Sequence, residues 1–127
     1  MKKIPRTVRV RSCILKTYYY LRALHKIHSN EEEAAVFERI TREGIEQVQQ
    51  LSKDKKRILL GNYRGERFAI GGTVHSDTMA TFKQLGYDHN WSMQETIEVL
   101  IYFSALSKLD QQEQAFFSLQ SMNIEIL

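Results

Sequence analysis

One short stretch does most to limit the folds open to this chain. In TVRVRS, residues 7–12, Val8 and Val10 alternate with Thr7, Arg9 and Arg11. An extended backbone there presents an apolar row on one side and hydrogen-bonding cations on the other. Two helical patterns follow. A single strand with two half-buried helices is not stable alone, so this strand needs a partner from another part of the chain or from a second chain.

The helical patterns carry their own punctuation. In CILKTYYYLRALHKI, Ile14, Tyr18, Leu21 and Leu24 recur at helical spacing, with Lys16, Arg22 and Lys26 on other faces. Ser29 with Glu32 has the spacing of a capping box, and the run Glu31, Glu32, Glu33 falls where a helix dipole is positive. Ala34, Phe37, Ile40, Thr41 and Val48 then form a buried stripe. Gly44, inside it, either ends the helix or lets another backbone approach. In residues 52–66 the helical period is lost. ILLGNY and RFAIG read as short strands that form a hairpin about Arg64-Gly65, or else RFAIG alone extends the strand that follows.

The same order then returns. Thr73 and Val74 end an extended run, and Ser76 or Asp77 can cap a helix with the stripe Met79, Phe82, Leu85, which Gly86 stops. Ser92 with Glu95 makes a second capping box ahead of Ile97, Val99, Leu100, Phe103 and Leu106. A shift of 64 lays Val10 on Val74 and Tyr18 on Phe82, and a shift of 63 lays Ser29 on Ser92 and Phe37 on Leu100. The chain divides accordingly into a first unit at 1–51, a linker with a possible hairpin strand at 52–66, a second unit at 67–108, and a short C-terminal helix and tail at 109–127.

Charge is distributed unevenly along this order. Residues 1–28 hold eight Lys and Arg and no acid, whereas the other 99 hold 10 basic and 15 acidic side chains. A field of this kind draws a polyanion to one end of the molecule. No apolar run approaches the length of a membrane span, and MKKIPRTVRVRS has no apolar stretch after its charges, so the expectation is a cytoplasmic protein with no membrane partner. Cys13 is the single cysteine, which excludes an intramolecular disulfide and a Cys-rich zinc module and reads as a small buried residue. His25, His28, His75 and His89 lack metal-ligand spacing, and no Gly-Lys-Ser/Thr follows the glycines at 65 or at 71–72. Neither an enzyme, a cofactor nor a metal site is therefore expected. In TYYYL, bases could stack on the rings, but helical spacing sends one or two of the tyrosines into the core.

Strand, helix, loop, capped helix is the order of the ribbon-helix-helix DNA-binding family, which the chain resembles through TVRVRS with EEAAVFERITREGI, and again through HNWSMQETIEVLIYFSAL. Two units in one chain resemble the tandem members, such as the TraY-like accessory proteins of conjugative relaxosomes. The resemblance implies a mainly α fold with short β, in which two β-α-α units share an antiparallel two-stranded ribbon, as a pseudo-dimer within one chain or as a homodimer. It implies a sequence-specific double-stranded DNA binder, a transcriptional repressor or a relaxosome factor of a plasmid or mobile element, with the ribbon in the major groove. Thr7, Arg9 and Arg11 from one strand and Thr73 and His75 from the other, in the same row as Gly71, would then read bases. Lys2, Lys3, Arg6 and Arg67, with the helix starts at Ser29, Asn30 and Ser92, would meet phosphates. Gly71-Gly72 gives the second strand few reading side chains, so an asymmetric target is expected. A different reading takes the basic N-terminus as the grip of a small helical adaptor on an acidic protein, with Tyr102-Phe103 and Phe116-Phe117 as an exposed aromatic stripe.

Overall fold

The structure, a computed structural model, describes residues 2–29 and 32–127. It is mainly helical, with two small antiparallel sheets of two strands each. Strand β1 (Lys3–Arg11) leads into helices α1 (Ser12–Ser29) and α2 (Glu33–Lys53). A short strand β2 (Ile58–Leu60) precedes β3 (Arg67–His75), which leads into α3 (Ser76–His89) and α4 (Met93–Leu106). Helix α5 (Gln111–Phe116), a 3-10 turn at Leu119–Met122 and strand β4 (Ile124–Ile126) follow. No helix among the described residues is long and apolar enough to cross a membrane.

The alternating stretch finds its partner far along the chain. β1 pairs with β3 over its whole length, from Lys3 opposite His75 to Arg11 opposite Arg67, with Thr7 opposite Gly71 at the centre. The strand thus begins four residues before the expected start, and Ser12 already belongs to α1. Val8, Val10, Ile70 and Val74 line the buried row of this ribbon. Beneath it lie Ile14, Tyr18 and Leu21 of α1, Phe37 and Ile40 of α2, Phe82 of α3, and Ile97 and Leu100 of α4, all essentially inaccessible. Burial of this many large apolar side chains is the main force holding the elements together.

Two glycines set how closely these layers approach. A Cβ at Gly44 would collide with the backbone carbonyl of Leu100, so the glycine is where α2 and α4 cross, and α2 runs on past it to Lys53. A Cβ at Gly72 would lie 2.6 Å from both the Ala34 carbonyl oxygen and the Phe37 Cβ. The strand therefore accepts a residue of poor β propensity because α2 packs directly on its backbone.

Several expectations are corrected. Ser29 does not cap α2: it is the last residue of α1, and Glu32, in extended backbone, precedes α2 with no side-chain cap bond. Asn30 and Glu31 lie outside the described residues. The second-helix offset of 63 is replaced by one of 60, because Glu33 and Met93 are the matching starts. α1, at 18 residues, is one turn longer than α3 at 14, so one helical turn separates the offset of 64 from that of 60. Ala34 is exposed and falls outside the buried stripe. Gly86 does not stop α3, which ends at Asn90 in a left-handed conformation. The hairpin about Arg64-Gly65 does not form: β2 pairs instead with β4, Leu60 opposite Ile124, while RFAIG belongs to β3. Ser92 and Glu95 do make the reciprocal capping box.

Candidate nucleic-acid interface

The side of the ribbon away from the helices is set by strand alternation. Lys3, Pro5, Thr7 and Arg9 of β1 are all exposed there, beside the exposed Ala69 and the half-buried Gly71 and Thr73 of β3. Neither strand contains an acidic residue. A Cβ at Gly71 would strike the Arg6 carbonyl oxygen, so this position has no room for a side chain. Thr73 has its hydroxyl 3.5 Å from the Ala34 carbonyl. The outward row is consequently polar and cationic on β1 and nearly bare on β3.

Arg11 departs from this row. It is 2% exposed, and its guanidinium grips Glu98, itself fully buried on α4, through Nη2 to Oε1 at 3.0 Å and Nε to Oε2 at 3.1 Å. The Arg11 backbone amide donates to the same Oε2 at 2.7 Å. Arg67, directly opposite on β3, adds Nη2 to Oε1 at 3.2 Å and Nε to Oε2 at 3.3 Å. The ring of Tyr63 lies against both guanidiniums, 4.5 Å from that of Arg11 and 5.1 Å from that of Arg67. Arg11 is therefore not a base reader and Arg67 not a phosphate contact. The physical reason is Glu98, a carboxylate that can be buried only with its charge and lone pairs satisfied.

His75 is likewise drawn inward. Its backbone amide donates to Glu38 Oε2 at 2.6 Å, and its Nδ1 sits 2.7 Å from Glu38 Oε1. Burial by itself would raise the Glu38 carboxyl, but the His75 amide and ring hold it below the usual carboxylate range. Glu38 and Glu98 are each the sixth residue of their helix, and each takes the amide that ends a ribbon strand. The two carboxylates thus anchor the strand-to-helix junctions crosswise, α4 holding the end of β1 and α2 the end of β3.

The remaining candidates are scattered. Lys2 and Lys3 are exposed at the start of the ribbon, and the Lys2 carbonyl accepts from the Ser76 amide at 3.0 Å. Arg6 is half-buried opposite Gly72, and its Nε is buried without a hydrogen bond. Ser92 caps α4, accepting from the Glu95 amide at 3.1 Å. The side chain of Ser29 and the whole of Asn30 lie outside what is described. Of the tyrosine run, Tyr18 is core, Tyr20 donates to Glu113 at 2.6 Å, and Tyr19 is exposed with Arg22 stacked 4.7 Å from its ring centre. The aromatic stripe does not form a surface, since Phe103 is buried, Tyr102 and Phe117 are half-buried, and only Phe116 of the four stands clear. Glu38, Glu98 and Tyr63 escaped sequence reasoning. For Glu98 a signal was present, a lone carboxylate inside the apolar run IEVLIYF.

The chain was compared with family models, curated proteins and solved structures, and none of the three gave a match.

Proposed function

We propose that this chain is a tandem ribbon-helix-helix protein that binds double-stranded DNA, laying the outward face of its β1–β3 ribbon in the major groove. The observation that carries the reading is the outward row Lys3, Thr7 and Arg9 on a ribbon with no acidic residue in either strand. A two-stranded ribbon fits the width of the B-DNA major groove, and Arg9 faces only Ala69 across the pair, which leaves its guanidinium free to fork onto guanine O6 and N7. Thr7 reads beside it. Lys2, Lys3 and the capped start of α4 at Ser92 supply phosphate contacts, and Thr73 contributes a polar side chain on the opposing strand. The reading groups are concentrated on β1, so the target is asymmetric about the centre of the ribbon. Such a protein acts as a repressor or as an accessory factor in DNA processing.

The test is binding of the full chain to duplex DNA as salt is varied, followed by selection of a preferred site from a randomised duplex pool. Phosphate contacts by Lys2 and Lys3 give a log–log salt slope of about −2. Arg9→Ala is expected to weaken the selected site by about 1–3 kcal/mol and relax one base position without changing the melting temperature. Absence of duplex binding at low salt, or an Arg9→Ala variant that binds its site like the parent, overturns the reading.

A further inference from the structure

The ends of the ribbon are related by the internal repeat, and among the described residues one of them is filled by the chain itself while the other is open. Positions 64 apart correspond, so Arg11 matches His75 and Arg67 matches Lys3. At the filled end Glu98 accepts five hydrogen bonds, three from Arg11 and two from Arg67, beneath the Tyr63 ring. At the open end Glu38 takes two from the described residues, both from His75. A carboxylate offers about four lone-pair sites, so Glu38 retains acceptor capacity.

Beside Glu38 lies a cavity of about 590 Å³ between α2, the first turn of α3 and the ribbon end, a volume suited to a small ligand. Its walls include Lys3, Arg42, Glu46, Asp77 and Thr78. Where the filled end has Cys13 and the fully buried Ile14, this end has Asp77 and Thr78. Thr78 is 3% exposed, and its buried hydroxyl lies near enough to Glu38 to favour the charged carboxylate. Glu43, also in the wall, is already engaged by Ser104 and Lys108. The Arg42 to Asp77 contact is long, at 3.9 Å, and both side chains are about half exposed.

We propose that this cavity binds a small guanidinium-bearing ligand, whose planar cation takes at Glu38 the place that Arg67 takes at Glu98. The guanidinium fork matches the free lone pairs of a carboxylate two at a time, and its remaining N–H groups reach the half-exposed Asp77 carboxylate. Arg42 stands on the same wall to receive an anionic group, if the ligand has one. The proposal does not depend on the ribbon reading DNA.

The experiment titrates the full chain with arginine, agmatine and citrulline, following backbone amide signals by NMR. Citrulline keeps the shape of arginine but replaces the cation with a neutral urea. Saturable shifts at Glu38, His75, Asp77 and Thr78 are expected with arginine and agmatine at millimolar concentration, with citrulline about tenfold weaker or silent. If agmatine binds and arginine does not, the site takes the cation alone. In Lys3→Arg the chain supplies its own guanidinium at the position matching Arg67, so the melting temperature rises and the arginine response falls. Absence of saturable shifts with both cations, or an equal response to citrulline, overturns the proposal. So does a Lys3→Arg variant that binds arginine as the parent does.

Discussion

Two carboxylates do the same backbone job at opposite ends of the ribbon under unequal conditions. Glu98 receives the amide of Arg11 and is sealed by two guanidiniums and an aromatic ring, with no solvent reaching it. Glu38 receives the amide of His75, keeps one imidazole as its side-chain partner among the hydrogen bonds seen, and borders a cavity. The difference shows that a repeated fold constrains the junction between strand and helix, while the residues covering that junction are free to diverge. At the first end, coverage comes from the connection between β2 and β3, which brings Tyr63 over the pair. At the second end no equivalent of Tyr63 is in place among the described residues.

The comparison can be broken most decisively at Glu98. Glu98→Ala leaves the buried Arg11 guanidinium without its counter-charge and the Arg11 amide without its acceptor. Urea denaturation should register a loss of about 3–5 kcal/mol. Glu38→Ala removes two hydrogen bonds at a wetter site, and a smaller loss of about 1–3 kcal/mol is expected. Equal losses in the two variants would mean that the ends are energetically alike and that the covering residues matter little.

Acid sharpens the same contrast. The Glu38 carboxyl is held below its ordinary value of 4.5 in the folded chain, so the unfolded chain binds the proton more readily below that pH. The stabilisation is therefore complete above about pH 4.5 and is lost as the pH falls through the lower folded value. Stability measured against pH should fall less steeply on the acid side in Glu38→Ala than in the parent, and parallel curves would show that this group is not responsible. The smallest effect is expected at Tyr63. Tyr63→Ala forfeits ring contacts with two guanidiniums, about 1 kcal/mol in all, and a thermal melt unchanged from the parent would show that the ring merely lies over the pair.

Arg9 and Arg11 show how far the sequence could be read. Alternation placed both on the outer row with Thr7, and for Arg9 the row and the exposure agree. Arg11 obeys the same period but stands at the last strand position, where the chain turns into α1 and the side chain can swing beneath the ribbon to Glu98. Nothing local to TVRVRS reveals a carboxylate 87 residues away. The same holds for His75, whose partner Glu38 lies on a helix of the other half. The capping boxes show the complementary case: Ser92 with Glu95 closes as its spacing indicates, while Ser29 with Glu32, equally well spaced, is overridden because α1 continues for an extra turn.

What the sequence determined by itself was periodic: an alternating basic strand, four amphipathic helices, a glycine inside the second of them, and the return of the same order after about 64 residues. Those features are local, and the chemistry of neighbouring residues is enough to specify them. The tertiary structure alone decided which cations remain on the surface and which are spent on buried carboxylates, that β2 pairs with β4, and that among the described residues one ribbon end closes while the other borders a cavity. Each of those outcomes depends on an ion pair, strand pairing or close packing between residues far apart in the chain, where the low dielectric of the core makes satisfying a buried charge outweigh the local pattern.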